Sequence, residues 1–118
     1  MYNYKAYVTN IVDGDTFDAT VQLGFTVSVE QRFRLKDIDT PETWRPKTEA
    51  EREHGKRATA FVTPLLLNQE IVLTSVKSAV YNRYEAYVTL PDGSDLGQLL
   101  IENNLVKLDN YEDIDDSI

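Results

Sequence analysis

The chain has 118 residues, 42% hydrophobic and 27% charged, which predicts one globular domain and no more. No apolar run approaches the ~20 residues a membrane helix needs. Zero cysteines exclude a disulfide or thiolate framework, and a single histidine leaves zinc without its usual ligands. The net charge of −8 is the wrong sign for a phosphate binder, but Asp109, Glu112, Asp113, Asp115 and Asp116 sit in a tail without a base, so more than half of that charge lies there. The opening Met1-Tyr2-Asn3-Tyr4-Lys5 lacks the charged-then-apolar layout of a signal peptide, so a cytoplasmic location is expected.

Tyr4, Ala6 and Val8 alternate with Lys5, Tyr7 and Thr9, the period of a half-buried strand. Asp13-Gly14 is a turn signal. Phe17, Ala19, Val21 and Leu23 alternate in a second strand that Gly24 breaks. Val27, Val29, Phe33 and Leu35 carry a third, with Arg32, Arg34 and Lys36 on its other face. After Pro41 the period changes. Residues 43–48 read as a loop that holds Trp44, a candidate for stacking on a base or covering the barrel rim. Ala50, His54, Ala58, Phe61, Val62, Leu65 and Leu66 then recur at helical spacing. Pro64 is expected to kink that helix or end it early, and His54 to lie on its surface. Glu70–Thr74 and Tyr84–Leu90 read as a fourth and a fifth strand, the latter closed by the turn Pro91-Asp92-Gly93-Ser94. Asp95 is a fitting N-cap for a second helix through Leu96, Leu99 and Leu100. The expected division is a domain over 1–108 and an acidic tail over 109–118.

Five short strands with a helix between the third and fourth match the order of an OB-fold barrel. The pattern alone leaves a generic α+β domain as a rival.

Several residues carry chemistry. Asp13-Gly14 alone reads as a hairpin turn, but Asp15 is not needed by the turn and faces the end of the third strand, where Asp39 lies. Alternation through Asp37-x-Asp39 puts one or both of those acids near Asp15 if the strand continues. Carboxylates brought together repel unless a cation intervenes, and hard oxygen ligands suit calcium or magnesium. The bland alternative is a solvated strand end. Pro41 stiffens the turn before Glu42, which is thereby aimed at that site and able to act on a water. Arg34 and Arg83, each unremarkable alone, supply planar cations for phosphate oxygens.

Asp13-Gly14-Asp15-Thr16 and Arg34-Leu35-x-x-Ile38-Asp39-Thr40-Pro41-Glu42 resemble two signature blocks of the staphylococcal nuclease (thermonuclease) family, and Tyr81-x-Arg83 with Ala86 resembles a third. Gly55, Ala58, Ala60 and Phe61 fit its first helix, and Leu99–Leu105 its second. The resemblance runs from about Lys5 to Val106. It implies a mainly β, α+β domain: a five-stranded OB-fold barrel with two helices, the chain ending where the family places a third. It also implies a calcium-dependent endonuclease, with magnesium or manganese as alternative ions, that hydrolyses single-stranded DNA or RNA and needs no membrane. Carried over, Asp15, Asp39 and the Thr40 carbonyl bind the metal and Glu42 positions the water. Arg34 and Arg83 hold the scissile phosphate, Tyr81 a neighbouring one. Nothing in the sequence supports an oligomer.

There are departures from the family pattern. Val80 stands where a basic residue is usual, Asn82 where glycine is, and Glu85 at an apolar position. Asn110 and Glu112 fall near the places of two stacking tyrosines. The connection between the second and third strands is longer than usual. These changes point to weaker affinity or altered preference. The rival functions are a non-catalytic OB-fold module that binds nucleic acid or protein, and an acidic domain that imitates nucleic acid.

Overall fold

Alternation builds the strands where the sequence places it, and the computed structural model describes residues 2–43, 46–76, 78 and 83–108. In chain order the elements are β1 (Tyr2–Asp13), β2 (Thr16–Gly24), β3 (Val27–Leu35), α1 (Glu49–Leu66), β4 (Glu70–Val76), β5 (Glu85–Thr89) and α2 (Leu96–Glu102). The strands close into a barrel in the order β1-β2-β3-β5-β4. β1 pairs antiparallel with both β2 and β4, and β3 closes the ring by a short parallel pairing with β5. This is the expected OB-type α+β barrel, with α1 connecting β3 to β4. Trp44, Tyr81 and the tail 109–118 lie outside the described residues. No helix among the described residues is long and apolar enough to cross a membrane.

One side of every strand fills the barrel. Val8, Phe17, Ala19, Val21, Phe33, Leu35, Ile71, Leu73, Ala86 and Val88 are buried together, and Ala58, Val62, Leu66, Leu96 and Leu100 join them from the two helices. Complete burial of Phe17 alone is worth about 1.5–3 kcal/mol.

α1 begins on a reciprocal cap. The Glu51 N–H donates to the Thr48 hydroxyl at 3.1 Å, and the Glu51 carboxylate accepts from the Lys47 N–H at 2.8 Å. The helix does not stop early at Pro64 but continues to Leu66. Pro64 falls in the last turn, where the missing N–H forfeits a single bond while Val62 and Leu66 remain buried. His54 is not a surface residue. It is 4% exposed, on the face that carries Ala58 and Val62, and its Nε2 lies 2.7 Å from the Asn104 carbonyl oxygen. That contact fastens the segment after α2 to the start of α1.

The long connection between β2 and β3 is strand, not loop. The hairpin turns at Phe25 and Thr26 with φ of 53° and 63°, both in the left-handed region that two-residue hairpin turns demand. Below the tip, Asp18 faces Arg32 across the strands and takes two bonds from its guanidinium, at 2.7 and 3.2 Å. Those bonds, helped by Asn10, hold the Asp18 carboxyl below its ordinary value of 3.8. Because the folded value is lowered, the pair stabilises the fold above pH 3.8 and the effect is lost below it, as pH falls through the lowered folded value. Asp18→Asn should lower stability at pH 7 by no more than about 1 kcal/mol, since Arg32 is solvated. Urea unfolding at pH 7 and at about pH 3 tests this: the gap to wild type should narrow at the lower pH, and a gap of unchanged size there would contradict the ionic origin.

Candidate active site

β3 ends between two neighbours, and that ending assembles the site. The Leu35 N–H donates to the Asp15 carbonyl at 2.9 Å on the β2 side, and the Arg34 N–H donates to the Tyr84 carbonyl at 2.9 Å on the β5 side. Thr16 and Glu85 are the register partners of Arg34 on those strands. Asp15, Arg34 and Arg83 therefore come from three chain segments to one end of the barrel. The loop after β3 then folds back over the start of β2. The Thr40 N–H donates to Asp15 Oδ2 at 3.1 Å, and the Asp39 carbonyl accepts from the Lys107 N–H at 2.8 Å.

Two glycines permit this closeness. A Cβ on Gly14 would lie 2.9 Å from the Thr40 side chain and from the Ala58 Cβ. A Cβ on Gly55 would lie 2.6 Å from the Pro41 carbonyl oxygen and 3.0 Å from that of Glu42. Gly55 thus lets α1 press directly against the loop that carries Glu42.

Arg34 is the charge at the centre. Its guanidinium bonds Asp39 Oδ1 and stands 3.7 Å from Asp15 Oδ2. Asp15 is 7% exposed and also accepts from the Thr16 hydroxyl at 2.9 Å, whereas the Asp39 side chain is largely solvated. Burial acts most strongly on Arg34 and disfavours its charge. The Asp39 bond and the fields of Asp15, Asp39 and Glu42 together outweigh it, so the guanidinium is held above its ordinary value. Arg34 is a permanent cation here, and Glu42 is near enough to act on it.

Asp13 belongs to the same cluster. Burial pushes its carboxyl above the usual value, the bond from the Thr43 hydroxyl at 2.6 Å opposes this, and the Asp15 charge adds to the rise. The turn reading of Asp13-Gly14 hid this acid. Its distant partner Thr43 was the only available clue, and pairings across thirty residues are not visible in a pattern.

The expectation that Asp37 shares a face with Asp39 does not hold. β3 stops at Leu35, and Asp37 takes a left-handed backbone with φ of 64°. Its carboxylate points to the Tyr87 hydroxyl at 2.9 Å instead. Arg83 reaches Glu85 at 3.8 Å, and Glu85 also takes Ser78 at 3.2 Å and Lys36 at 3.3 Å. Arg34 and Arg83 both line a cavity of about 260 Å³ whose other walls include Arg32, Phe33 and Tyr84. Tyr81 falls outside the described residues.

Fit to a cation rests on the donors. Asp15 and Asp39 converge on the one guanidinium, which marks a point where two carboxylates already meet a positive charge. The donors are hard oxygens, and the buried Thr40 Oγ1 beside them has no protein partner. Among the described residues no group of three or more His, Cys, Asp or Glu could by itself hold a metal ion. Two carboxylates completed by a carbonyl and water suit an oxygen-seeking divalent ion and no soft metal.

The class these features define is an OB-type barrel with a carboxylate–guanidinium cluster where β2, β3 and β5 meet. Residues 32–116 match the family described as Staphylococcal nuclease homologue, and the chain belongs to that family. It is 36% identical over 89 residues to a thermonuclease of Staphylococcus intermedius, covering 72% of this chain and 48% of that protein. A thermonuclease of Staphylococcus hyicus is 34% identical over 91 residues, covering 75% of this chain and 50% of that protein. The chain spans about half the length of these relatives.

The packing at Gly55 makes a direct prediction. Gly55→Ala should destabilise the protein by about 1–3 kcal/mol, because the Pro41–Thr43 backbone must retreat from α1. Denaturant unfolding measures it, and a variant as stable as wild type would show that the loop yields freely.

Proposed function

We propose that this chain is a nuclease, a metal-assisted phosphodiesterase that hydrolyses single-stranded DNA or RNA. The observation that carries the reading is Arg34 held between Asp15 and Asp39 within the field of Glu42. Family membership supports it, as does the pocket that Arg34 shares with Arg83.

In this reading Arg34 and Arg83 bind the non-bridging oxygens of the scissile phosphate and stabilise the charge that builds there. Glu42 orients a water and takes its proton as the water oxygen bonds to phosphorus. The bond from phosphorus to the 5′ oxygen of the next sugar breaks, that oxygen is protonated from solvent, and the phosphate stays on the 3′ oxygen of the preceding sugar. Tyr81 bonds a neighbouring phosphate. Asp15, Asp39 and the Thr40 carbonyl would hold the cation, calcium first with magnesium or manganese as alternatives, and when bound it would neutralise phosphate charge. A non-catalytic OB-fold module is the second reading, favoured by the engagement of Arg83 with Glu85, which lessens its charge for a phosphate.

The test is cleavage of labelled single-stranded DNA and RNA in calcium, in magnesium and in EDTA. Metal-dependent cutting that Glu42→Ala loses is the expected result; no cutting in any ion by folded protein would leave the binding module standing. Arg34→Ala should lower turnover by ~10²–10³-fold. Arg34→Lys should remain poor, because a point charge does not replace the planar fork. Near-wild-type turnover in Arg34→Ala would sink the mechanism.

A further inference from the structure

Tyr84 stands where β5 is about to begin, directly after Arg83. It is 52% exposed, and its ring meets that of Phe33 nearly at right angles with centroids 6.5 Å apart. The contact steadies the ring while half of its surface stays open. A solvated aromatic ring held in place beside a cation offers what a nucleobase needs, a flat apolar face next to a site for its phosphate.

The cavities extend the idea. Arg83 and Tyr84 line the pocket that contains Arg34, and they also line a second cavity of about 480 Å³ with Tyr2, Val76 and Glu85. Arg83 and Tyr84 line both cavities, so these two residues stand between the pocket of Arg34 and the surface of Tyr2. Tyr2 is 72% exposed, with its ring 6.5 Å from that of Tyr4. Arg83 shares its charge with Glu85 at 3.8 Å, so the aromatic faces carry the larger part of the attraction along this path.

We propose that Tyr84 and Tyr2 form a base-stacking track for a single-stranded polynucleotide, leading away from the phosphate pocket of Arg34 and Arg83. The proposal rests on the nuclease reading for the position of the strand, and it adds an affinity-determining surface outside the cluster of acids. The occupant is a nucleic-acid strand because the track continues the arginine pocket and joins aromatic faces to a cation. Stacking tolerates any base, so the track should govern affinity for longer strands more than sequence choice.

The test is fluorescence anisotropy of an end-labelled single-stranded octanucleotide with phosphorothioate linkages, in calcium and in EDTA. Tyr84→Ala should weaken binding roughly tenfold, Tyr84→Phe should stay close to wild type, and Tyr2→Ala should weaken it less than Tyr84→Ala. Tyr7→Ala, an exposed tyrosine elsewhere on the barrel, should change nothing. A strand with its bases removed should bind wild type about tenfold more weakly and lose nothing further in Tyr84→Ala. Equal binding by Tyr84→Ala and wild type overturns the track, as does an equal loss on the abasic strand or no binding by folded wild type in either buffer. Cleavage kinetics separate this proposal from the one it rests on. Cutting by wild type with KM unchanged in Tyr84→Ala removes the track and keeps the nuclease. Tyr84-dependent binding without cutting in any ion removes the hydrolysis and keeps the track.

Discussion

The site depends on how β3 ends. Two backbone bonds, from Leu35 to the Asp15 carbonyl and from Arg34 to the Tyr84 carbonyl, hold that end between β2 and β5. The carbonyls come from strands that meet β3 in opposite senses, one antiparallel and one parallel. A strand with a neighbour on each side supplies both partners at the same place. Asp15, Arg34 and Arg83 are thereby brought to one end of the barrel by strand pairing, and only the connection after Leu35 has to be ordered to add Asp39, Thr40 and Glu42.

Charge makes the second constraint. Asp13, Asp15, Asp39 and Glu42 are all near enough to one another or to Arg34 for their fields to register. Such a group of acids is unfavourable without a cation, and Arg34 supplies one from within the chain. Truncating Arg34 would therefore leave Asp15 buried beside other acids, so loss of activity in Arg34→Ala has to be read together with stability. The Thr40 N–H and the Thr16 hydroxyl reduce that burden by bonding both oxygens of Asp15. A carboxylate fixed by two donors keeps its direction whichever cation stands in front of it.

The barrel was legible because a strand half in water has only one arrangement of its apolar residues. Phe17, Ala19 and Val21, then Phe33 and Leu35, announce their buried face by alternation alone. The same rule failed at Asp37, where a left-handed backbone ends the alternation after Leu35 and no residue type forces that choice. His54 was misread because its face of α1 is covered by the segment near Asn104, fifty residues away. Asp13 was hidden for a similar reason, since Asp-Gly explains itself as a turn and its Thr43 partner is distant. Gly55 carried no polar group to mark it, although the path of the Pro41–Thr43 backbone depends on its missing side chain. Neighbours in the candidate site were legible where a motif held them together, as Arg34 with Asp39 and Glu42. They were not legible where tertiary packing alone made them neighbours.

Glu85 departs from the family pattern and rearranges the charges around it. It is largely buried at the start of β5 and draws in Lys36, Ser78 and Arg83 at once. A nonpolar side chain there would leave Lys36 and Arg83 facing each other's charge near one strand end. The acid relieves that repulsion but shares the cation on which a phosphate would depend. The open ring of Tyr84, one residue earlier, offers attraction of a different kind, since stacking does not weaken when a neighbouring carboxylate screens the arginine. In the proposed reading these adjacent residues would shift recognition from charge toward aromatic surface, in a chain whose overall balance is acidic.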